Sequence, residues 1–164
     1  MLTHNQVPKS ELDARLAALR AALSDRDPAW EIALINNKIS LYYLTGTMQD
    51  GVLVITPDAA TFWVRRYFPR AQEESLFADI RPMKSFRVLE GSYPVPDSAY
   101  VECKTASLEW LGLVRKYLPF ASYKNISPLL ADLRAHKSAY ELDCMRRAGA
   151  IHAEVIEQVT PGLI

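Results

Sequence analysis

Apolar residues recur along this chain in two rhythms, and the changes between them mark out its elements. Leu12, Leu16, Leu19 and Leu23 fall at helical steps, which predicts a first helix opened by Ser10 and Asp13 and closed ahead of Asp27-Pro28. Ile32, Ala33, Leu34 and Ile35 form an unbroken apolar run inside Glu31 to Asn36, as in a strand covered on both faces. Asn36-Asn37 turns the chain. The stretch from Ile39 to Gly46 keeps neither period and ends on glycine, so a short helical turn or an irregular segment is expected there. Two β-rich runs follow, Gly51 to Thr56 and Thr61 to Arg66. Pro57-Asp58-Ala59-Ala60 joins them, so they predict a hairpin.

The second half repeats the alternation. Tyr67 to Phe77 is helical in pattern, Ile80 to Met83 is a candidate strand, and Gly91 to Asp97, with Pro94 and Pro96, is a loop. Tyr100 to Cys103 reads as a buried strand, and Leu108, Leu111, Val114, Arg115 and Leu118 give a helix closed by Pro119. Ser122 to Ile126 supplies one more strand. Ser127-Pro128 then places a cap and a first-turn proline ahead of Leu129, Leu130 and Leu133. The last helix carries the clearest start signal: Ser138 followed three positions later by Glu141, a spacing in which each side chain satisfies a backbone N–H. Beyond it Leu142, Met145, Gly149, His152, Ile156 and Val159 make one apolar stripe, and Pro161-Gly162 ends the helix with Leu163 and Ile164 behind it. A stripe of that length needs a covering partner. The chain is therefore expected to be the front piece of a longer protein.

Strands alternating with helices predict an α/β fold, a three-layer α/β/α sandwich whose mixed sheet has about five or six strands. The chain has 164 residues, of which 49% are hydrophobic and 23% charged, enough for one domain with a real core. Nineteen basic residues balance nineteen acidic ones, so no overall field favours nucleic acid or an anionic membrane. Cys103 and Cys144 form no C-x-x-C pair, which suits reduced thiols in a cytoplasmic protein, though one long-range disulfide stays open. There is no secretion-signal order at the N-terminus and no apolar run of membrane-spanning length.

Candidate chemistry is sparse. His4, His136 and His152 have no metal-ligand spacing, the six glycines build no phosphate loop, and no G-x-S-x-G elbow is present. Glu102 reads as a strand-end charge beside Lys104. Arg65, Arg66 and Arg70 near Trp63, Tyr67 and Phe68 read as a solvated or interface face rather than a nucleic-acid site. No residue of this chain is a candidate catalytic group or metal ligand.

Two blocks carry a family resemblance. Ala33-Leu34-Ile35-Asn36 to Tyr43-Leu44-Thr45-Gly46, followed by Gly51-Val52-Leu53-Val54-Ile55-Thr56, is the first. The second is Leu133-Arg134-Ala135-His136-Lys137-Ser138-Ala139-Tyr140-Glu141-Leu142 with Met145-Arg146, Ala148 and Pro161-Gly162. In order and spacing they resemble the N-terminal domain of the creatinase/prolidase/aminopeptidase P family, whose pita-bread catalytic domain lies downstream. The resemblance implies a ribonuclease-H-like first domain over residues 1–134, with residues 135–164 the linker and first helix of the catalytic domain.

It further implies two divalent metal ions, manganese, cobalt or zinc, in the full-length protein, bound by ligands beyond this chain, with none bound by this part. A metal-activated hydroxide would cleave the peptide bond preceding proline. The implied partners are the catalytic domain, a second copy in a homodimer and a proline-containing peptide, with neither nucleic acid nor membrane. The segment around Tyr-Leu-Thr-Gly implies a substrate rim at Tyr42, Thr47, Met48, Gln49 and Asp50; alternatively Tyr42 and Tyr43 pack a hinge and the loop is an exposed turn. Thr47-Met48-Gln49 stands where many members carry an aromatic. The alternatives are the first domain of a creatinase-like hydrolase, a stand-alone binding module, and a ribonuclease-H-like nuclease, which the carboxylate placement does not support.

Overall fold

The computed structural model describes residues 6–159, so His4, Pro161-Gly162, Leu163 and Ile164 lie outside the described residues. The chain divides into two compact units, one ending at Leu133 and one starting at Arg134.

The first unit is organised by a mixed sheet. Its strands are β1 (Ala33–Ile35), β2 (Gly51–Ile55), β3 (Ala60–Val64), β4 (Ile80–Pro82), β5 (Ser98–Val101) and β6 (Ser122–Asn125), in the spatial order β4-β3-β2-β1-β5-β6. The expected hairpin is β2 and β3, antiparallel, with Gly51 opposite Val64 and Ile55 opposite Ala60. β1 runs antiparallel to β2 and parallel to β5, and β5 and β6 are parallel, as are β3 and β4. Without the edge strand β4 this is the ribonuclease-H-like arrangement: a three-strand meander whose first strand is continued by two parallel crossovers.

The helices are α1 (Lys9–Arg26), α2 (Lys38–Thr45), α3 (Phe68–Glu74), α4 (Leu108–Tyr117), α5 (Ser127–Ala135) and α6 (Ala139–Val159). Side chains on a strand alternate faces, so β1 sends Ala33 and Ile35 one way and Leu34 the other. The first face is covered by Leu19 and Leu23 of α1, Leu41 and Leu44 of α2, Ala71 of α3 and Leu130 of α5. On the second, Val114 of α4 and a 3-10 turn at Phe86–Leu89 lie over Val52, Val54 and Val101. Each fully buried Leu or Ile contributes roughly 1.5–3 kcal/mol, and both cores draw on β1 and β2. The sandwich therefore has three layers.

Several local expectations need correction. The first helix opens at Lys9 with Pro8 at the cap, and Ser10 lies inside it, because proline's fixed φ already leads into the helix. Leu108 is almost fully exposed: Ser107 caps α4 through the Trp110 N–H at 3.1 Å, which places Leu108 at the helix's outward first position. The buried strand before it spans Ser98–Val101, ending two residues earlier than expected. Ser127 lies within α5, and its N–H donates to Asn125 Oδ1 at 3.0 Å. Glu102 is buried and accepts a hydrogen bond from Ser40 Oγ at 2.7 Å, tying the end of β5 to α2 rather than reaching out beside Lys104.

Arg15 is the least expected core residue. It points inward from α1, pairs with Glu11 at 2.9 Å, donates to the Tyr43 carbonyl at 2.9 Å and stacks its guanidinium over the Tyr43 ring at 4.4 Å. A buried cation is tolerated when its charge and donors are met together. Arg15 thereby fixes α1 to α2.

In the second unit α6 starts as its sequence predicts. Ser138 N–H donates to Glu141 Oε2 at 3.0 Å and Glu141 N–H to Ser138 Oγ at 3.1 Å. None of its residues is buried; Leu142, Met145, Gly149, His152, Ile156 and Val159 are exposed, and so are Ile151 and Val155. The apolar face is wider than the predicted stripe.

Candidate functional site

The loop that follows α2 is held at both ends by glycine. Asn37 Oδ1 starts α2 by accepting the Ile39 and Ser40 N–H groups at 3.0 and 3.3 Å. Gly46 ends it in the left-handed region at φ 77°, donating to the Tyr42 carbonyl at 2.8 Å. At the other end a Cβ on Gly51 would stand 2.1 Å from the Trp63 carbonyl oxygen across the hairpin. No side chain fits there. Thr47 to Asp50 is thus a short bridge between two positions the backbone reserves for glycine.

Glu74, at the end of α3, fastens that bridge. Its Oε2 accepts from Thr47 Oγ1 at 2.6 Å and Gln49 Nε2 at 3.1 Å, and its Oε1 from Arg70 Nε at 2.5 Å. Ser75 Oγ donates to the Thr45 carbonyl, securing the same junction one residue on. Burial pushes the Glu74 carboxyl up, but hydrogen bonds from Thr47, Gln49 and Arg70, with the Arg70 charge, outweigh it and hold the group below its ordinary value. Glu74 is therefore an anion that organises its neighbours.

Tyr42, Thr47, Met48 and Gln49 line one open recess of about 300 Å³ together with Arg70 and Glu74. Tyr42 and Met48 are half exposed there, whereas Thr47 is buried. Tyr43 faces inward, its hydroxyl donating to the Leu133 carbonyl at 3.4 Å. Asp50 stands apart, paired with Arg65 at 3.2 Å on the hairpin side. The recess so joins four of the five residues singled out in the sequence and adds Glu74, which nothing in the local pattern marks, and Arg70, which the sequence groups with Arg65 and Arg66 instead.

The remaining candidates scatter. Arg65 pairs with Asp50 and Arg70 with Glu74, while Trp63 donates its indole N–H to Tyr93 Oη at 2.6 Å and lies under the Arg81 guanidinium. The three arginines do not converge. Cys103 and Cys144 form no disulfide. Among the described residues no group of three or more His, Cys, Asp and Glu is placed to hold a metal ion, and no helix is long and apolar enough to cross a membrane. The recess offers contact surface: an aromatic ring on α2 and a thioether on the braced loop, without a paired nucleophile and base.

The profile of the creatinase/prolidase N-terminal domain family matches residues 15–147, most of the chain. The chain belongs to this family. Solved structures carry the same fold. The prolidase from Pyrococcus furiosus is 19% identical with a TM-score of 0.76 over 91% of this chain and 46% of that one. The Xaa-Pro dipeptidase from Bacillus anthracis is 18% identical with a TM-score of 0.75 over 93% of this chain and 44% of that one. An Xaa-Pro aminopeptidase chain from Streptococcus pyogenes is 18% identical with a TM-score of 0.64 over 77% of this chain and 99% of that one. The creatinase/prolidase N-terminal domain here spans less than half the length of the two longer relatives. No curated protein sequence matches it significantly.

Proposed function

We propose that this creatinase/prolidase N-terminal domain is the non-catalytic first part of a cytoplasmic, metal-dependent Xaa-Pro peptidase. In that reading residues 1–134 form the accessory domain, and residues 135–164 lead into a catalytic domain. That domain carries the two metal ions, manganese, cobalt or zinc, which lower the pKa of a bound water and polarise the scissile carbonyl. The accessory domain takes part in a homodimer, and its recess at Tyr42, Thr47, Met48 and Gln49 borders the entrance for a proline-containing peptide. A creatinase-like hydrolase differs in the second domain and would use the same first one.

The observation that carries the proposal is the braced loop. Two glycine-only positions and two hydrogen bonds from the loop to Glu74 hold the half-exposed Met48 beside Tyr42 of α2, so a ligand laid against them costs little ordering. Asp50 is part of the loop but its carboxylate is committed to Arg65, so its contribution is to the hairpin. In the full-length enzyme Tyr42→Ala with Met48→Ala raises KM for an Xaa-Pro substrate roughly fivefold, about 1 kcal/mol, and leaves kcat within a factor of two. Steady-state kinetics read this directly. An unchanged KM contradicts the rim.

A further inference from the structure

Met48 points out of its loop, half exposed, while Thr47 on one side of it is buried and Gln49 on the other is partly buried. Both flanking side chains are tied to one atom. Thr47 Oγ1 and Gln49 Nε2 donate to the same oxygen, Glu74 Oε2, at 2.6 and 3.1 Å, and the Gln49 N–H donates back to Thr47 Oγ1 at 3.4 Å. The backbone of Met48 is thus closed into a ring of hydrogen bonds with a carboxylate oxygen at its hub. The two neighbours face that carboxylate, and Met48 lines the recess.

The hub is itself held. Arg70, one turn earlier on α3, donates from Nε to Oε1 at 2.5 Å, which answers the charge from within the helix and leaves Oε2 to the loop. Hydrogen bonds to an ionised acceptor are about twice as strong as neutral ones, so Oε2 keeps two donors that water would otherwise take. α3 is fixed in turn by Ala71 in the core and by Ser75, whose hydroxyl donates to the Thr45 carbonyl. The clamp on Met48 therefore reaches the body of the fold.

We propose that Glu74 is a positioning residue for substrate: it makes no contact with the peptide and sets the Met48 side chain that does. The inference rests on the rim reading above and adds to it a residue that arrives from α3. Without the carboxylate, Thr47 and Gln49 lose their common acceptor, and Met48 has to be ordered by the substrate as it binds. The loss then falls on binding and not on the chemical step.

Two preparations separate the clamp from the rim. In the 164-residue chain with ¹³C-labelled methionine methyls, Glu74→Ala should move and sharpen the Met48 resonance while Met83, buried in the core, stays where it is. In the full-length enzyme the same substitution should raise KM for an Xaa-Pro substrate roughly fivefold and leave kcat within about twofold. Added to Tyr42→Ala with Met48→Ala, it should change KM no further, because its effect passes through Met48. A Met48 methyl that does not move overturns the clamp. A KM unchanged by Glu74→Ala, or raised by the same factor with and without Met48, overturns the positioning role even where Tyr42→Ala with Met48→Ala raises KM. If that pair leaves KM unchanged, the rim itself falls and the inference with it. Should Met83 move as well, Thr47→Val decides: it removes one of the two donors without touching α3 and is expected to raise KM about threefold. No rise overturns the proposal.

Discussion

Individual residues divide by how far away their partners are. Ser138 and Glu141 could be read from sequence because a capping box is written in three consecutive steps of chain. Arg15 could not, since the Tyr43 carbonyl and ring that make its burial tolerable are 28 residues away. Glu74 escaped for the same reason, and its state has a measurable consequence. Its carboxyl titrates below its ordinary value in the folded chain, so its bonds to Thr47 and Gln49 stabilise fully above the unfolded value and are lost as pH falls through the folded one. Amide protection of Thr47 to Gln49 should therefore hold through the ordinary carboxylate range and fall only below it, and Glu74→Gln should remove that dependence. Hydrogen exchange followed by NMR across acidic pH checks this. Tyr67 makes a second case. It is exposed and stands at φ 56°, a region where a side chain costs energy, so Tyr67→Gly should stabilise the chain by about 1 kcal/mol in urea denaturation.

At the level of elements, the strands and the hairpin were legible because a strand buried on both faces and a proline-led turn leave strong local marks, as in Ile32 to Ile35 and Pro57-Asp58. The 3-10 turn at Phe86–Leu89 was not. Its Phe86 and Leu89 are core residues at a spacing too short to show a period. Leu108 shows the opposite failure, an apolar residue in phase with α4 that the N-cap leaves facing solvent. Gly51 gives the sharpest test of an element. Gly51→Ala would drive a methyl into the Trp63 carbonyl, so β2 and β3 must part at the start of the hairpin, at a cost of about 3 kcal/mol. A thermal melt reads it, and an unchanged Tm would show that the strand end yields freely.

On the scale of the whole molecule, the family could be recognised from two separated blocks, and the matched span of residues 15–147 includes both α2 and the start of α6. The recess was only half legible. Its loop residues sit in the first block, but Arg70 and Glu74 reach it from α3, and Asp50 is drawn away by Arg65. Sequence shows who is adjacent along the chain; a site depends on who arrives from elsewhere. The exposed apolar face of α6, from Leu142 to Val159, is the feature that the peptidase reading explains by a downstream catalytic domain. Hydrolysis of an Xaa-Pro dipeptide with added manganese, measured for the natural polypeptide that contains these residues and for the 164-residue chain side by side, tests that reading most directly. Turnover is expected from the former and none from the latter. Turnover by the 164-residue chain, or none by the metal-replete natural polypeptide, would contradict it.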